Sequence, residues 1–134
     1  MTAAVYLFVR TPPEGPSSAA ALRRLKALQE LRDELRRAGV IVVASPERSA
    51  LQVEITNVFA SDDNARVRDG RVIIVRLSAG DERMDFVCTD GCRNVPAERQ
   101  AARRICLRLE TLDRRAAAQA TRLPEALTVT PSNC

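Results

Sequence analysis

With 134 residues the chain has the length of one domain and enough material to bury a core. Hydrophobic residues at 46% and charged residues at 28% exclude a disordered chain, and 21 Lys and Arg against 17 acids leave a net charge of only +4, which tolerates anionic partners without demanding them. Histidine is absent, which excludes Ser-His-Asp and Cys-His catalysis, His-bearing zinc sites and a histidine pH switch.

Residues Ala3 to Arg10 alternate as a strand, with Val5, Leu7 and Val9 on one side and Tyr6 and Phe8 on the other. Aromatic residues make up 3% of the chain, so that second face holds half of its rings, Phe59 and Phe86 being the others. Rings exposed together mark an interface. Tyr6 and Phe8 are therefore candidate contacts for a protein partner or a second copy, unless the C-terminal tail or the 60–70 loop folds over them.

The segment TPPEGP breaks regular structure, and Ser17 or Ser18 then caps a helix that runs to about Ala38 and stops at Gly39. Leu25, Leu28, Leu31 and Leu35 recur at three- and four-residue steps and predict its apolar face. A short strand VIVVA follows, then a Ser-Pro break. In LQVEITNVF, Leu51, Val53 and Ile55 alternate with Gln52, Glu54 and Thr56 as a strand with one face in the core. After the polar loop ASDDNARVRDG, the segments RVIIVRLS and RMDFVC flank the turn Ala79-Gly80-Asp81-Glu82 as a β-hairpin. Asn94 is placed to cap a second helix with Pro96 in its first turn. The apolar stripe of that helix is Ala101, Ala102, Ile105, Leu109, Leu112 and Ala116.

The order β-α-β-β-β-β-α, with one stripe per helix, predicts a two-layer α+β sandwich: a mixed, mostly antiparallel sheet of about five strands with both helices on one face. The strand–helix–strand opening fits a right-handed parallel crossover. Residues 1–116 form this single domain, and 117–134 form a polar, fraying tail.

The pieces ALQELRDELRRAGVIVVAS, SALQVEIT, RVIIVRLSAGDERM and ERQAARRICLRL, spread from Ala27 to Leu109, follow one another in a pattern that resembles bacterial cell-envelope domains of the TolB amino-terminal, CsgG-like and LpoB-like type. The resemblance implies a non-enzymatic domain that contacts other envelope components. It assigns a chemical role to no residue.

The remaining constellations are weighed on their chemistry. Cys88 and Cys92 flank Thr-Asp-Gly and read either as a local disulfide closing a tight loop or as two ordinary thiols. A metal site would require Cys106, beside a helix stripe, and Cys134, at the chain end, to join them, so no metal is expected. Asp62-Asp63-Asn64 lacks the remaining ligands of a calcium loop, and Asp81-Glu82 fills a hairpin turn. The five glycines are widely spaced and form no phosphate-cradling loop. No catalytic set and no cofactor are expected.

The second helix carries Arg99, Arg103, Arg104, Arg108, Arg114 and Arg115. These read either as a basic stripe for nucleic acid or another polyanion, or as a solvated face in an Arg-rich chain whose only lysine is Lys26. No ring is interleaved with these arginines for base stacking, which favours the solvated face. The opening apolar run ends at Arg10, is too short to span a membrane and has no basic segment before it, so no membrane insertion is expected. Two compartments stay open: periplasmic or exported if a signal peptide was trimmed, cytoplasmic if Met1 is the native start.

Overall fold

The computed structural model of the chain describes residues 4–59, 71–89 and 95–121. Its elements are β1 (Ala4–Val9), α1 (Ala19–Arg37), β2 (Ile41–Val43), β3 (Leu51–Phe59), β4 (Val72–Ala79), β5 (Glu82–Thr89) and α2 (Ala97–Thr121), with a single 3₁₀ turn, Pro46–Arg48, at the Ser-Pro break. The strands form one sheet in the order β2-β1-β3-β4-β5. Both helices pack on one face of it, so the expected α+β sandwich and element order are observed. The sheet is mixed and mostly antiparallel as expected: β2 and β3 flank β1 in parallel, and the longer β3–β4 and β4–β5 ladders run antiparallel. The parallel flanks arise from residues 44–50, which return the chain to the other side of β1 instead of reversing it beside β2. Ala50 seals that return by donating its N–H to the Ala4 carbonyl at 2.8 Å.

Helix α1 begins where its capping chemistry dictates. The Ser18 hydroxyl accepts from the Ala21 N–H at 3.1 Å and donates to the Gly15 carbonyl at 2.7 Å. It ends in a Schellman motif: Gly39, at φ 86°, donates to the Arg36 carbonyl and Val40 to the Leu35 carbonyl at 2.9 Å. The buried face is Ala21, Ala27, Leu28, Leu31 and Leu35, while Leu25 is exposed. At 100° per residue Leu25 lies roughly 90° round from the mean direction of those five, and Arg24 holds the centre line in its place. Arg24 stays there because its guanidinium reaches past the core to the Arg10 carbonyl, 3.0 Å away.

The other corrections fall on β3 and α2. Strand β3 carries a bulge at Thr56: Ile55 faces Val75, yet Asn57 already faces Ile74. The bulge reverses the alternation, so Val58 joins the core and Phe59 is exposed. Helix α2 starts at Ala97, with Pro96 just outside it accepting from the Arg99 and Gln100 N–H groups. The proposed cap Asn94 lies outside the described residues. The apolar stripe is buried from Ala97 to Leu109 and half-buried at Leu112, but Ala116 is exposed. The helix continues to Thr121, beyond the expected boundary at residue 116, with residues 113–118 exposed on every side.

The core combines Leu31 and Leu35 of α1 and Ala101 and Ile105 of α2 with Val5, Val53, Ile55, Ile73, Val75 and Leu77 of the sheet. Arg71, at the head of β4, fastens the two helices together by pairing with Glu30 of α1 at 2.6 Å and Glu98 of α2 at 2.5 Å. No helix among the described residues is long and apolar enough to cross a membrane.

Candidate interaction surfaces

The open face of the sheet is built by alternation. Because Val5 and Leu7 point to the helices, Tyr6 and Phe8 point away from them. They pair across β1–β3 with Gln52 and Glu54, which pair in turn with Ser78 and Arg76 of β4. The two rings stack with centroids 5.3 Å apart and planes 21° from parallel, and both are half-buried. The Arg10 guanidinium lies 5.8 Å from the Phe8 centroid and also pairs with Glu54, its Nε 3.2 Å from the carboxylate. Packed among Phe8, Arg10 and Arg76, Glu54 is only 8% exposed although no helix covers it.

Across the same row Arg76 binds Asp85 through Nε at 2.9 Å, with a second contact at 3.4 Å, and holds the Asp85 carboxyl below the usual carboxylate range. An ionic band therefore crosses the open face. On one side of it lie Tyr6, Val43 and Ile41, and on the other Ile74, Val87 and Phe59, with Val87 57% and Phe59 51% exposed. The open face thus carries two apolar patches with a charged band between them.

The arginines of α2 spread over about half of the helix circumference, on the side away from the core. Arg104, Arg108 and Arg115 lean toward β5. The Arg104 guanidinium sits 5.0 Å above the Phe86 ring, Arg108 bonds the Glu82 carboxylate, and Arg115 bonds the same carboxylate at 3.1 Å. Arg108 and Arg115 together hold the Glu82 carboxyl below its ordinary range, Arg108 contributing most. Arg99 and Arg103 lean toward α1, where Arg99 pairs with Glu34 at 3.5 Å. Arg114 lies 3.9 Å from Glu110 on its own helix. Among the described residues only Arg103 of this set has no acidic or aromatic partner.

No protein-family model matches the chain. No curated protein resembles it at a significant level either.

Between the C-terminal half of α1 and the middle of α2 lies a trough of about 510 Å³ that sequence reasoning missed. Its lining joins Glu34, Arg37 and Ala38 to Arg99, Ala102, Arg103, Cys106 and Leu107, residues separated by some sixty positions in the chain. The one sequence signal for it was Leu107, a large apolar residue on the polar side of the helix stripe. Cys106 is a free, half-buried thiol in its wall, pushed above the usual thiol range first by burial and then by the Glu110 charge.

Cys88 is a free thiol at 1% exposure, packed under the helices. Burial pushes it up to about 11, with Arg104 opposing the shift. Such a thiol is a poor nucleophile and packs as a small apolar side chain. Cys92, the proposed partner of Cys88, and Cys134 lie outside the described residues. Among those residues no group of three His, Cys, Asp or Glu side chains is placed to hold a metal ion.

Proposed function

We propose that this chain is a non-catalytic protein-interaction domain that docks a protein partner on the open face of its sheet, in the manner of the cell-envelope domains it resembles in pattern. The observation that carries the reading is the stacked Tyr6–Phe8 pair, set beside the Arg10–Glu54 and Arg76–Asp85 pairs on the face that neither helix covers. Rings already held against each other lose little conformational freedom on binding, and paired charges flanking them set the register of a partner.

The alternative, polyanion binding by the arginines of α2, has less support. Arg99, Arg104, Arg108, Arg114 and Arg115 are each engaged within the chain.

The test places a photo-crosslinking amino acid at position 6 in the native host and compares it with the same residue at exposed position 113 of α2. The reading requires one reproducible protein adduct from position 6, an envelope component, that is lost in the Phe8→Glu background. Circular dichroism of the Phe8→Glu chain should match the wild type, while its urea midpoint falls, because the new carboxylate stands opposite Glu54 across β1–β3. Equal adducts from both positions, or an adduct that survives Phe8→Glu, would reject the sheet face as the docking surface.

A further inference from the structure

The trough between α1 and α2 is unlike the rest of the helical side. Its floor is Ala38 and Ala102 with Cys106, and one wall is Leu107, at 62% exposure the most open of the large apolar side chains in the core-bearing part of α2. Its rim holds three guanidiniums, Arg37, Arg99 and Arg103, against one carboxylate, Glu34. Glu34 is shared: Arg37 approaches it at 2.7 Å and Arg99 at 3.5 Å, leaving Arg103 without an acid among the described residues. The site thus has an apolar floor, an uncompensated positive rim and an open form.

We propose that this trough docks an acidic amphipathic segment of a partner protein. One apolar side chain of that segment seats against Ala102 and Leu107, and its carboxylates meet Arg103 and Arg99. Charge complementarity selects an acidic partner, and the apolar floor selects a peptide over a nucleic acid, since the trough lining contains no ring on which a base could stack. The open form of the trough suits a helix laid along it better than a small molecule, whose sites enclose most of the ligand. Glu34 competes with the incoming carboxylates for Arg37 and Arg99, which makes it a brake on affinity. This surface lies on the helical side of the sheet, so the inference stands apart from docking at Tyr6 and Phe8, and Phe8→Glu serves as the control that separates the two.

The experiment titrates the full chain, in reducing buffer, into a fluorescein-labelled helical peptide made of Glu and Leu with Leu on one face, read by anisotropy. In parallel, alkylation of Cys106 by N-ethylmaleimide is followed by peptide mass mapping. Arg103→Glu should weaken binding by about tenfold or more. Glu34→Gln should tighten it, and Arg83→Glu on the open sheet face and Phe8→Glu should leave it unchanged. Bound peptide should slow alkylation of Cys106. Equal weakening by Arg83→Glu and Arg103→Glu, no protection of Cys106, tighter binding of an oligothymidylate than of the peptide, or no binding at ~1 mM peptide would each overturn the proposal.

Discussion

The buried thiol of Cys88 makes the fold sensitive to alkali in a way that can be worked out in advance. In the unfolded chain a cysteine titrates near 9.0, whereas in the folded chain burial among Ile73, Phe86 and α2 pushes Cys88 up to about 11. A raised folded-state value means that the folded chain keeps the proton longer. Its contribution to stability is complete below pH 9 and is lost as the pH rises from there through 11. One pKa unit corresponds to about 1.4 kcal/mol, so integrating the two titrations gives a loss of about 2 kcal/mol by pH 11. The assay is urea unfolding with a phosphine reductant at intervals from about pH 8 to 11, on the wild type and Cys88→Ala. The variant starts less stable, because it leaves a small cavity, but it should lack this alkaline slope. Groups common to both chains cancel in the difference. Parallel curves would show that Cys88 titrates alike in the folded and unfolded chains, and would refute the burial argument.

Gly39→Ala should destabilise the chain by about 1 kcal/mol in the same unfolding assay. Nothing lies within 4 Å of the added Cβ, so the cost is the φ of 86° alone, and an unchanged midpoint would mean that the Schellman stop is not what holds the end of α1. Glu82→Gln removes the carboxylate that Arg108 and Arg115 share, and its sign follows from a lowered folded-state pKa. The stabilisation is present above the ordinary carboxylate value of 4.5 and is lost as the pH falls through the lower folded value. Wild type and Glu82→Gln should therefore differ at neutral pH and converge in acid, and a constant difference in midpoint would remove Glu82 as the link between β5 and α2.

The architecture was legible because period-2 alternation in β1, β3 and β4 and the 3.6-residue stripes of both helices agree with the packing that two layers allow. The positions of Tyr6 and Phe8 followed from that alternation alone. Leu25 was misplaced because helical spacing fixes a stripe only to within one side chain's width, and a long Arg24 can lie along the core as well as a leucine can cap its edge. Ala116 was misplaced for a different reason: the stripe continues in the sequence after the sheet beneath it has ended. The return of the chain to the other side of β1 was hidden in seven residues, 44–50, whose composition reads as any turn. The trough was illegible because its two walls meet only after both helices have docked. Its one distant ion pair, Arg99 with Glu34, joins residues that no local pattern connects.

The extra residue at Thr56 shows how this strand accommodates one residue more than its partner. Removing it in thought leaves Ile55 opposite Val75, Asn57 opposite Ile74 and Val58 opposite Ile73, a regular ladder with every pair kept. The bulge is thus an insertion whose effect stops where it starts, held by the Thr56 hydroxyl on the Ile74 carbonyl at 3.2 Å and the Asn57 side chain accepting from the Val58 N–H at 2.9 Å. A shift of one residue anywhere between Thr56 and Phe59 that is not absorbed in this way exchanges Val58 for Phe59, and turns the inside of the protein outward along half a strand.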